Sequence, residues 1–150
     1  TVAMITGELS NTAAEQRLEG YLAAINRFGL KSTKTLVKNG DWSRESGYRH
    51  MKAILKTNPN VDAVFCSNDA MALGAMTAIE QAGKSIPEDI AVIGFDDSAL
   101  AKNAHPALTS VKQDIIGLGE ETANLILARI NGEEVHSEIL GCKLVIRESA

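Results

Sequence analysis

Polar residues directly follow two apolar segments of the chain, and together they could bind a small polar molecule. One segment leads into Asn68 and Asp69, and the other leads into Asp96 and Asp97. Apolar segments followed by helices are typical of parallel strands buried on both faces, and open parallel sheets bind ligands beyond the carboxyl ends of their strands. Amide and carboxylate groups suit hydroxyl-rich molecules, which offer both hydrogen-bond donors and acceptors. The pattern therefore predicts a ligand site at one edge of a sheet.

The rest of the chain predicts the elements that would position this site. Four apolar segments alternate with segments of helical periodicity, and they cover residues 1–7, 35–37, 63–67 and 90–95. This βαβαβαβ order with short connections predicts an α/β fold, a parallel sheet flanked by helices on both faces. An alternating stretch at 109–113, a helix over 115–130 and a closing strand at 144–146 complete the chain.

The first two helices carry recognisable start and stop signals. Asn11 or Ser10 is the expected N-cap of the first helix, which should end at Gly29. Ser43 is the expected N-cap of the second helix, after a turn that includes Trp42. These signals support the predicted element order.

Composition narrows the classes of protein to which the chain could belong. Its 150 residues are 45% hydrophobic and 23% charged, which is typical of one globular domain. A net charge of -4 without clustered Lys or Arg argues against a nucleic-acid surface in these residues. Two cysteines without a C-x-x-C spacing favour a reducing compartment. With no membrane-spanning segment and no leader in the sequence, we expect a cytoplasmic protein with no membrane partner.

Enzyme signatures are missing from the sequence, so we expect a protein without catalytic activity. No G-x-G-x-x-G or P-loop motif follows the first strand. His50, His105 and His136 have no nucleophile or metal partner at a recognisable spacing. Asp96 and Asp97 could in principle act as acid and base, but adjacent residues at a strand end point in different directions. We also expect no cofactor.

Several ordered motifs resemble the lactose/galactose repressor (LacI/GalR) family of bacterial transcription regulators. They are Ser67–Ala75, Ile86–Asp97, Leu108–Gln113, Arg17–Tyr21 and Arg147–Ser149. The resemblance covers the chain from end to end. It implies a periplasmic-binding-protein-like (type I) fold, in which two lobes clamp a small effector. The residues of this chain favour a sugar or related polyol as that effector. The implied function is effector sensing and dimerisation in a repressor, and the alternative is a sugar-binding protein of a transport system.

The resemblance also implies a division of the chain. Residues 1–113 would form the C-terminal lobe of the effector-binding region, and residues 140–150 would add its closing strand. Residues 114–139 would pack on a missing N-terminal lobe. The DNA-binding head would likewise be absent, because the first residues read as a buried strand with no lead-in. Operator DNA would then be bound only through that absent N-terminal head.

Five residues match effector-contacting positions of the family. They are Arg17, Trp42, Asn68, Asp96 and Gln113. Arg17 could donate a forked pair of hydrogen bonds to vicinal hydroxyls, or it could be a solvated surface arginine. Trp42 could be a platform for a pyranose ring or a core side chain. Gln113 could contact the effector or act as a hinge residue.

Asn68 and Asp96 have helix caps as their alternative roles. Asn68 is a possible N-cap, but it remains free for a ligand if Asp69 caps instead. Similarly, Asp97 is the expected cap of the short helix that follows it, which leaves Asp96 for the effector.

Apolar residues surround the helix that begins near Asn68, and such a helix must bury more than one face. Family members dimerise through this lobe, so the resemblance implies a homodimer with Leu73, Met76 and Ala104 in the interface. The alternative is that these residues only cover the sheet.

Overall fold

A computed structural model describes residues 1–30 and 33–150, in which strands and helices alternate along the chain. The elements are β1 (Val2–Thr6), α1 (Thr12–Arg27), β2 (Val37–Asn39), α2 (Arg44–Thr57), β3 (Ala63–Cys66), α3 (Asp69–Gln81), β4 (Ala91–Asp96), α4 (Ala99–Asn103), β5 (Thr109–Lys112), α5 (Ile115–Ile130) and β6 (Lys143–Val145).

The strands form a six-stranded sheet in the order β2-β1-β3-β4-β5-β6. The first five strands are parallel and β6 runs antiparallel to β5. The predicted parallel sheet flanked by helices is confirmed, and the alternating stretch at 109–113 supplies its fifth strand. Strand order reverses at β1, between β2 and β3, and such a switch point is where open α/β sheets bind ligands.

Alternate residues of β1 point to opposite faces of the sheet and define two layers of core. Met4 packs with Tyr21 and Ile25 of α1 on one face. Ala3 and Ile5 belong to the larger cluster on the other face, beneath α2 and α3. Because period-two alternation places one layer of helices on each side, both faces of the central strands are buried.

Helices α2 and α3 cross at two glycines that allow their backbones to touch. A Cβ at Gly74 would lie 1.9 Å from the carbonyl oxygen of Arg44, and a Cβ at Gly47 would lie 2.1 Å from that of Met71. Only glycine permits so close a crossing. The contact fixes the start of α3, and therefore Asn68, relative to the rest of the lobe.

The predicted caps of the first two helices are confirmed. Asn11 accepts a hydrogen bond from the amide of Ala13 at 2.8 Å, and Ser43 accepts one from the amide of Ser46 at 3.1 Å. The left-handed Gly29, at φ 64°, follows the end of α1 as expected.

Helix α5 has the predicted bounds, but none of its residues is buried. Its exposed large apolar residues are Ile115, Ile116, Leu118, Ile126, Leu127 and Ile130. A helix with this much exposed apolar surface lacks its packing partner in the described structure. Within residues 1–30 and 33–150, no helix has the length and apolar character required to span a membrane.

Candidate functional site

The five predicted site residues meet at the carboxyl edge of the parallel strands. Asn68 follows β3, Asp96 ends β4, and Gln113 follows β5. Trp42 lies in the loop after β2, and Arg17 reaches over the edge from α1. We call this group of five residues the rim. The structure therefore brings together side chains that are up to 96 positions apart in the sequence, from position 17 to position 113.

Arg17 is held over the rim by one hydrogen bond and two aromatic rings. Its Nη1 donates to the carbonyl oxygen of Ser67 at 2.6 Å. Its guanidinium carbon lies 3.7 Å from the ring centre of Phe95 and 5.8 Å from that of Trp42, within cation–π range. Burial lowers the pKa of Arg17 and the Asp96 carboxylate opposes that shift. The guanidinium retains further N–H donors for a ligand.

Asp96 is a half-buried carboxyl group that keeps one oxygen available. Nε2 of Gln113 donates to its Oδ1 at 2.9 Å. The pKa of Asp96 is raised overall, and burial is the largest cause. The nearby Asp69 adds to this rise, whereas Arg17 and the hydrogen bond from Gln113 oppose it. Among the described residues no hydrogen bond reaches its Oδ2, so that oxygen can accept from a ligand hydroxyl.

Asn68 connects the helix start to the aromatic loop. Its Oδ1 accepts from the amide of Met71 at 2.9 Å, so Asn68 itself caps α3. The N-cap role given as the alternative for Asn68 is confirmed, and Asp69 does not cap the helix in its place. Its Nδ2 donates to the carbonyl oxygen of Trp42 at 3.0 Å. An amide nitrogen carries two hydrogens, so one donor remains for a ligand.

Trp42 is half-buried and its indole covers Gly7 at the end of β1. A Cβ at position 7 would lie 2.0 Å from Cζ2 of the indole, so only glycine leaves room for the ring. The ring also packs against the larger core cluster. The core packing proposed as the alternative for Trp42 is therefore present, and the role of the ring as a sugar platform beside Arg17 stays a prediction.

Backbone strain is concentrated at the rim. In the described part of the chain, the non-glycine residues with positive φ are Trp42 at 69°, Asp96 at 110° and Asp97 at 51°. Residues held in such regions cost roughly 1–3 kcal/mol each and tend to cluster at ligand sites. Surrounding hydrogen bonds must therefore hold these loops in place.

The prediction that Asp97 caps α4 is wrong. The helix begins after Ser98, which makes no side-chain capping bond. The Asp97 carboxylate instead pairs with Arg147 near the end of the chain, and the two side chains are 4% and 16% exposed. The pair is formed because the chain returns beside β5 after α5, which no local pattern around Asp97 could indicate.

Sequence reasoning missed Phe95, and it grouped Asp69 with the ligand-facing polar residues although the structure buries its side chain. Phe95 supplies the ring nearest to Arg17, although it reads only as the last apolar residue of β4. Asp69 is 1% exposed and accepts hydrogen bonds from Ser98 and Ser110. The polar residues of the alternating stretch 109–113 were the available signal for Ser110.

The residues predicted for a dimer interface line one groove between α3 and α4. Leu73, Met76 and Ala104 all border this space of about 310 Å³, together with Leu100. Met76 and Ala104 are only 3% and 8% exposed, whereas Leu100 is 50% exposed. Leu73 and Leu100 therefore provide most of the accessible apolar surface of the groove.

The rim offers a cation, a carboxylate, two amides and an aromatic face at one edge of the sheet. Such a set can bind vicinal hydroxyls in both hydrogen-bonding directions while a ring packs on the indole. Among the described residues, no group of three His, Cys, Asp or Glu side chains is placed to hold a metal ion. The donors and acceptors of the rim are able to bind a polar ligand through hydrogen bonds.

Comparison with known proteins identifies the family of the chain. All of residues 1–150 match the periplasmic binding protein-like domain family. The HTH-type transcriptional regulator CelR of Thermobifida fusca is 39% identical over 150 residues, which are 99% of this chain and 44% of CelR. The chain thus spans less than half the length of this curated relative.

Solved structures of such regulators share the fold closely. The complex of the transcriptional regulator CelR with cellobiose superposes with a TM-score of 0.93 at 39% identity, covering 99% of this chain and 46% of that one. The lac repressor dimer bound to operator and the anti-inducer ONPF gives a TM-score of 0.93 at 33% identity, covering 99% and 52%. The curated relatives include HTH-type transcriptional regulators and repressors. The chain therefore belongs to the periplasmic binding protein-like domain family, and 99% of its length is similar to part of solved regulators of the LacI family.

Proposed function

We propose that this chain senses a sugar or related polyol and dimerises within a bacterial transcriptional repressor. The observation that carries the proposal is the rim itself, where Arg17, Asn68 and Asp96 converge beyond the carboxyl ends of β3 and β4. Vicinal hydroxyls would accept from Arg17 and donate to Asp96 Oδ2. Gln113 would orient Asp96 and contact the effector beside it.

A sugar fits the rim better than a purely hydrogen-bonding solute because of Trp42. Pyranose rings have apolar C–H faces that pack on aromatic rings, and the indole lies 5.8 Å from the Arg17 guanidinium carbon. A ring on Trp42 would therefore place its hydroxyls within reach of the arginine. The relative CelR, at 39% identity, has been solved as a complex with cellobiose.

We further propose that the chain folds as one lobe with a helix extended toward another. Residues 1–113 and 140–150 would form the lobe, and residues 114–139 would pack on an N-terminal lobe. The exposed apolar residues of α5 support this division, as does the greater length of CelR, of which the chain covers 44%. Operator DNA would be bound by a head elsewhere in the full-length protein. Effector binding would favour one lobe arrangement only by its differential affinity for the two.

The homodimer would use the groove between α3 and α4. Leu73, Met76 and Ala104 line it, and Leu100 adds exposed apolar surface. The lac repressor, of similar fold, has been solved as a dimer. A cytoplasmic location would follow from a regulatory role. The relatives' role as transcriptional regulators favours this function over that of a sugar-binding protein in transport.

A thermal-shift screen of a sugar and nucleoside panel on the full-length protein tests the effector proposal. We expect at least one sugar to raise Tm, and Arg17→Met to abolish that shift, because ligand binding to the native state stabilises it. Arg27→Met is the matched control, since it removes an exposed arginine from the same helix, α1, away from the rim. A nucleoside shift without any sugar shift would contradict the effector class. Equal losses in both variants would contradict the site.

A further inference from the structure

The carboxylate of Asp69 is buried close to the rim but is not itself accessible to a ligand. Asp69 is 1% exposed and is the first residue of α3. Its Oδ2 accepts from both the amide and the hydroxyl of Ser98, at 2.7 and 2.8 Å. Its Oδ1 accepts from the hydroxyl of Ser110 at 2.6 Å. A buried carboxylate requires such donors, and here all three come from the β4–α4 loop and from β5.

The same hydroxyl that donates to Asp69 also holds the loop directly. Ser110 Oγ accepts from the amide of Asp97 at 3.1 Å. Two consecutive backbone amides are thus connected to the buried Asp69 carboxylate. The amide of Ser98 bonds to it directly, and the amide of Asp97 bonds to it through the hydroxyl of Ser110. We call Asp69, Ser98 and Ser110 with these two amides the loop anchor.

The loop anchor holds a strained stretch of backbone. Asp96 and Asp97 have φ values of 110° and 51°, which L-residues rarely adopt. Without a scaffold the backbone would relax toward negative φ, and the Asp96 side chain would turn with it. At Gly94 an added Cβ would lie 2.5 Å from Asp69 Oδ1, so β4 leaves space for the carboxylate only because it has glycine there.

We propose that Asp69 and Ser110 are positioning residues for effector binding, which act by holding Asp96 in its ligand-accepting orientation. This inference rests on the proposed function of the rim. Neither residue needs to touch the effector. Their contribution is to keep the Asp96 carboxylate beside Arg17 and Gln113 before the ligand arrives, so that little ordering is left for binding to supply.

Ser110→Ala tests the proposal, and Ser149→Ala is its matched control. Both serines are fully buried. Each hydroxyl accepts a hydrogen bond from one backbone amide and donates a hydrogen bond to one oxygen. Ser149 bonds to Thr109 and Val92, at the amino-terminal ends of β4 and β5. The two variants therefore remove the same group at different places, since Ser110 bonds to the loop after β4 and Ser149 bonds near the starts of β4 and β5.

The binding measurement is calorimetric titration of the full-length protein with cellobiose as the probe. We expect Ser110→Ala to weaken binding about tenfold, the value of one buried hydrogen bond, and Ser149→Ala to leave it within about twofold. In an Asp96→Asn background Ser110→Ala should change affinity by less than about twofold, because the group it positions is gone. Equal weakening by Ser110→Ala and Ser149→Ala, or a full effect in the Asp96→Asn background, would overturn the proposal.

Hydrogen–deuterium exchange of the ligand-free protein tests the same inference without an effector. The peptide spanning residues 95–99 should exchange about tenfold faster in Ser110→Ala than in wild type, and at the wild-type rate in Ser149→Ala. Unchanged exchange in Ser110→Ala would refute the loop anchor even if cellobiose binds. If wild type does not bind cellobiose while exchange accelerates, the choice of that sugar fails and the loop anchor stands.

Discussion

Substituting Gly74 by alanine should destabilise the fold by forcing α2 and α3 apart. The added Cβ would lie 1.9 Å from the carbonyl oxygen of Arg44 and 2.7 Å from the amide nitrogen of Tyr48. Both are backbone atoms, so no side chain can rotate away. Since Cβ atoms essentially never approach other atoms within 3.0 Å, the helices must separate by the difference from 1.9 Å, about 1 Å.

The expected cost follows from overpacking in a dense core. Inserting a methyl group where it cannot be accommodated costs about 1–3 kcal/mol, and a clash with backbone belongs at the upper end, about 3 kcal/mol. For a chain of this size each kcal/mol shifts Tm by roughly 2–4 °C, so Tm should fall by about 6–12 °C. Alanine's better helix propensity offsets less than about 1 kcal/mol of this.

Gly20→Ala is the control because it makes the same change with no neighbour. A Cβ at position 20, within α1, meets nothing within 4 Å. We expect it to stabilise the protein by about 0.5–1 kcal/mol through helix propensity alone. Thermal and urea unfolding followed by circular dichroism measure both variants. A Gly74→Ala variant as stable as wild type, or a shift of the same sign in both, would refute the close crossing.

Three further predictions concern charge and thiol chemistry. Burial raises the pKa of Asp96 and so makes its charged form less favourable in the native state than in the unfolded chain; stability is therefore lost as pH rises from 3.8 through that raised pKa. Asp96→Asn should raise Tm at pH 7 while weakening sugar binding, and a lower Tm would contradict this prediction. Arg147→Met should cost about 3 kcal/mol in urea unfolding by leaving the buried Asp97 unpaired, and a loss below about 1 kcal/mol would show the pair to be dispensable. Burial raises the pKa of the Cys66 thiol, whereas Cys142 is exposed; a thiol reagent should modify Cys142 alone in the native protein, and rapid labelling of Cys66 would contradict its burial.

Much of the fold could be predicted because its signals are local. Apolar segments with helices between them gave the parallel sheet, and the capping residues Asn11 and Ser43 marked the helix starts. Helix α5 was predicted with its observed bounds because one apolar periodic segment ends just before Gly132. Each of these features is decided within a few residues of chain.

Local patterns could not decide the roles of residues whose partners are distant in sequence. The prediction that Asp97 caps α4 was wrong, because its partner is Arg147, 50 positions later. The choice between Asn68 and Asp69 as the cap of α3 was open, and Asn68 caps because Ser98 and Ser110 bind the Asp69 carboxylate. Two adjacent polar residues at a helix start can exchange these roles, and only tertiary contacts decide between them.

The rim could be assembled from sequence only in part. Asn68 and Asp96 stand at strand ends, and this position alone marks them as candidates. Arg17 and Gln113 needed the family resemblance, because a lone arginine or glutamine carries no local signal. Phe95 was missed, since its apolar character suits a strand as well as it suits the guanidinium that it contacts at 3.7 Å.

A crystal structure of the full-length protein grown with the sugar that gives the largest thermal shift tests the central claim most directly. We predict the sugar ring on the exposed part of Trp42, with hydroxyls within hydrogen-bond distance of Arg17, Asn68 and Asp96. The β4–α4 loop should keep its positive φ values and its contacts with Asp69. A sugar bound away from these residues, or a rim closed by the protein's own side chains, would contradict the account.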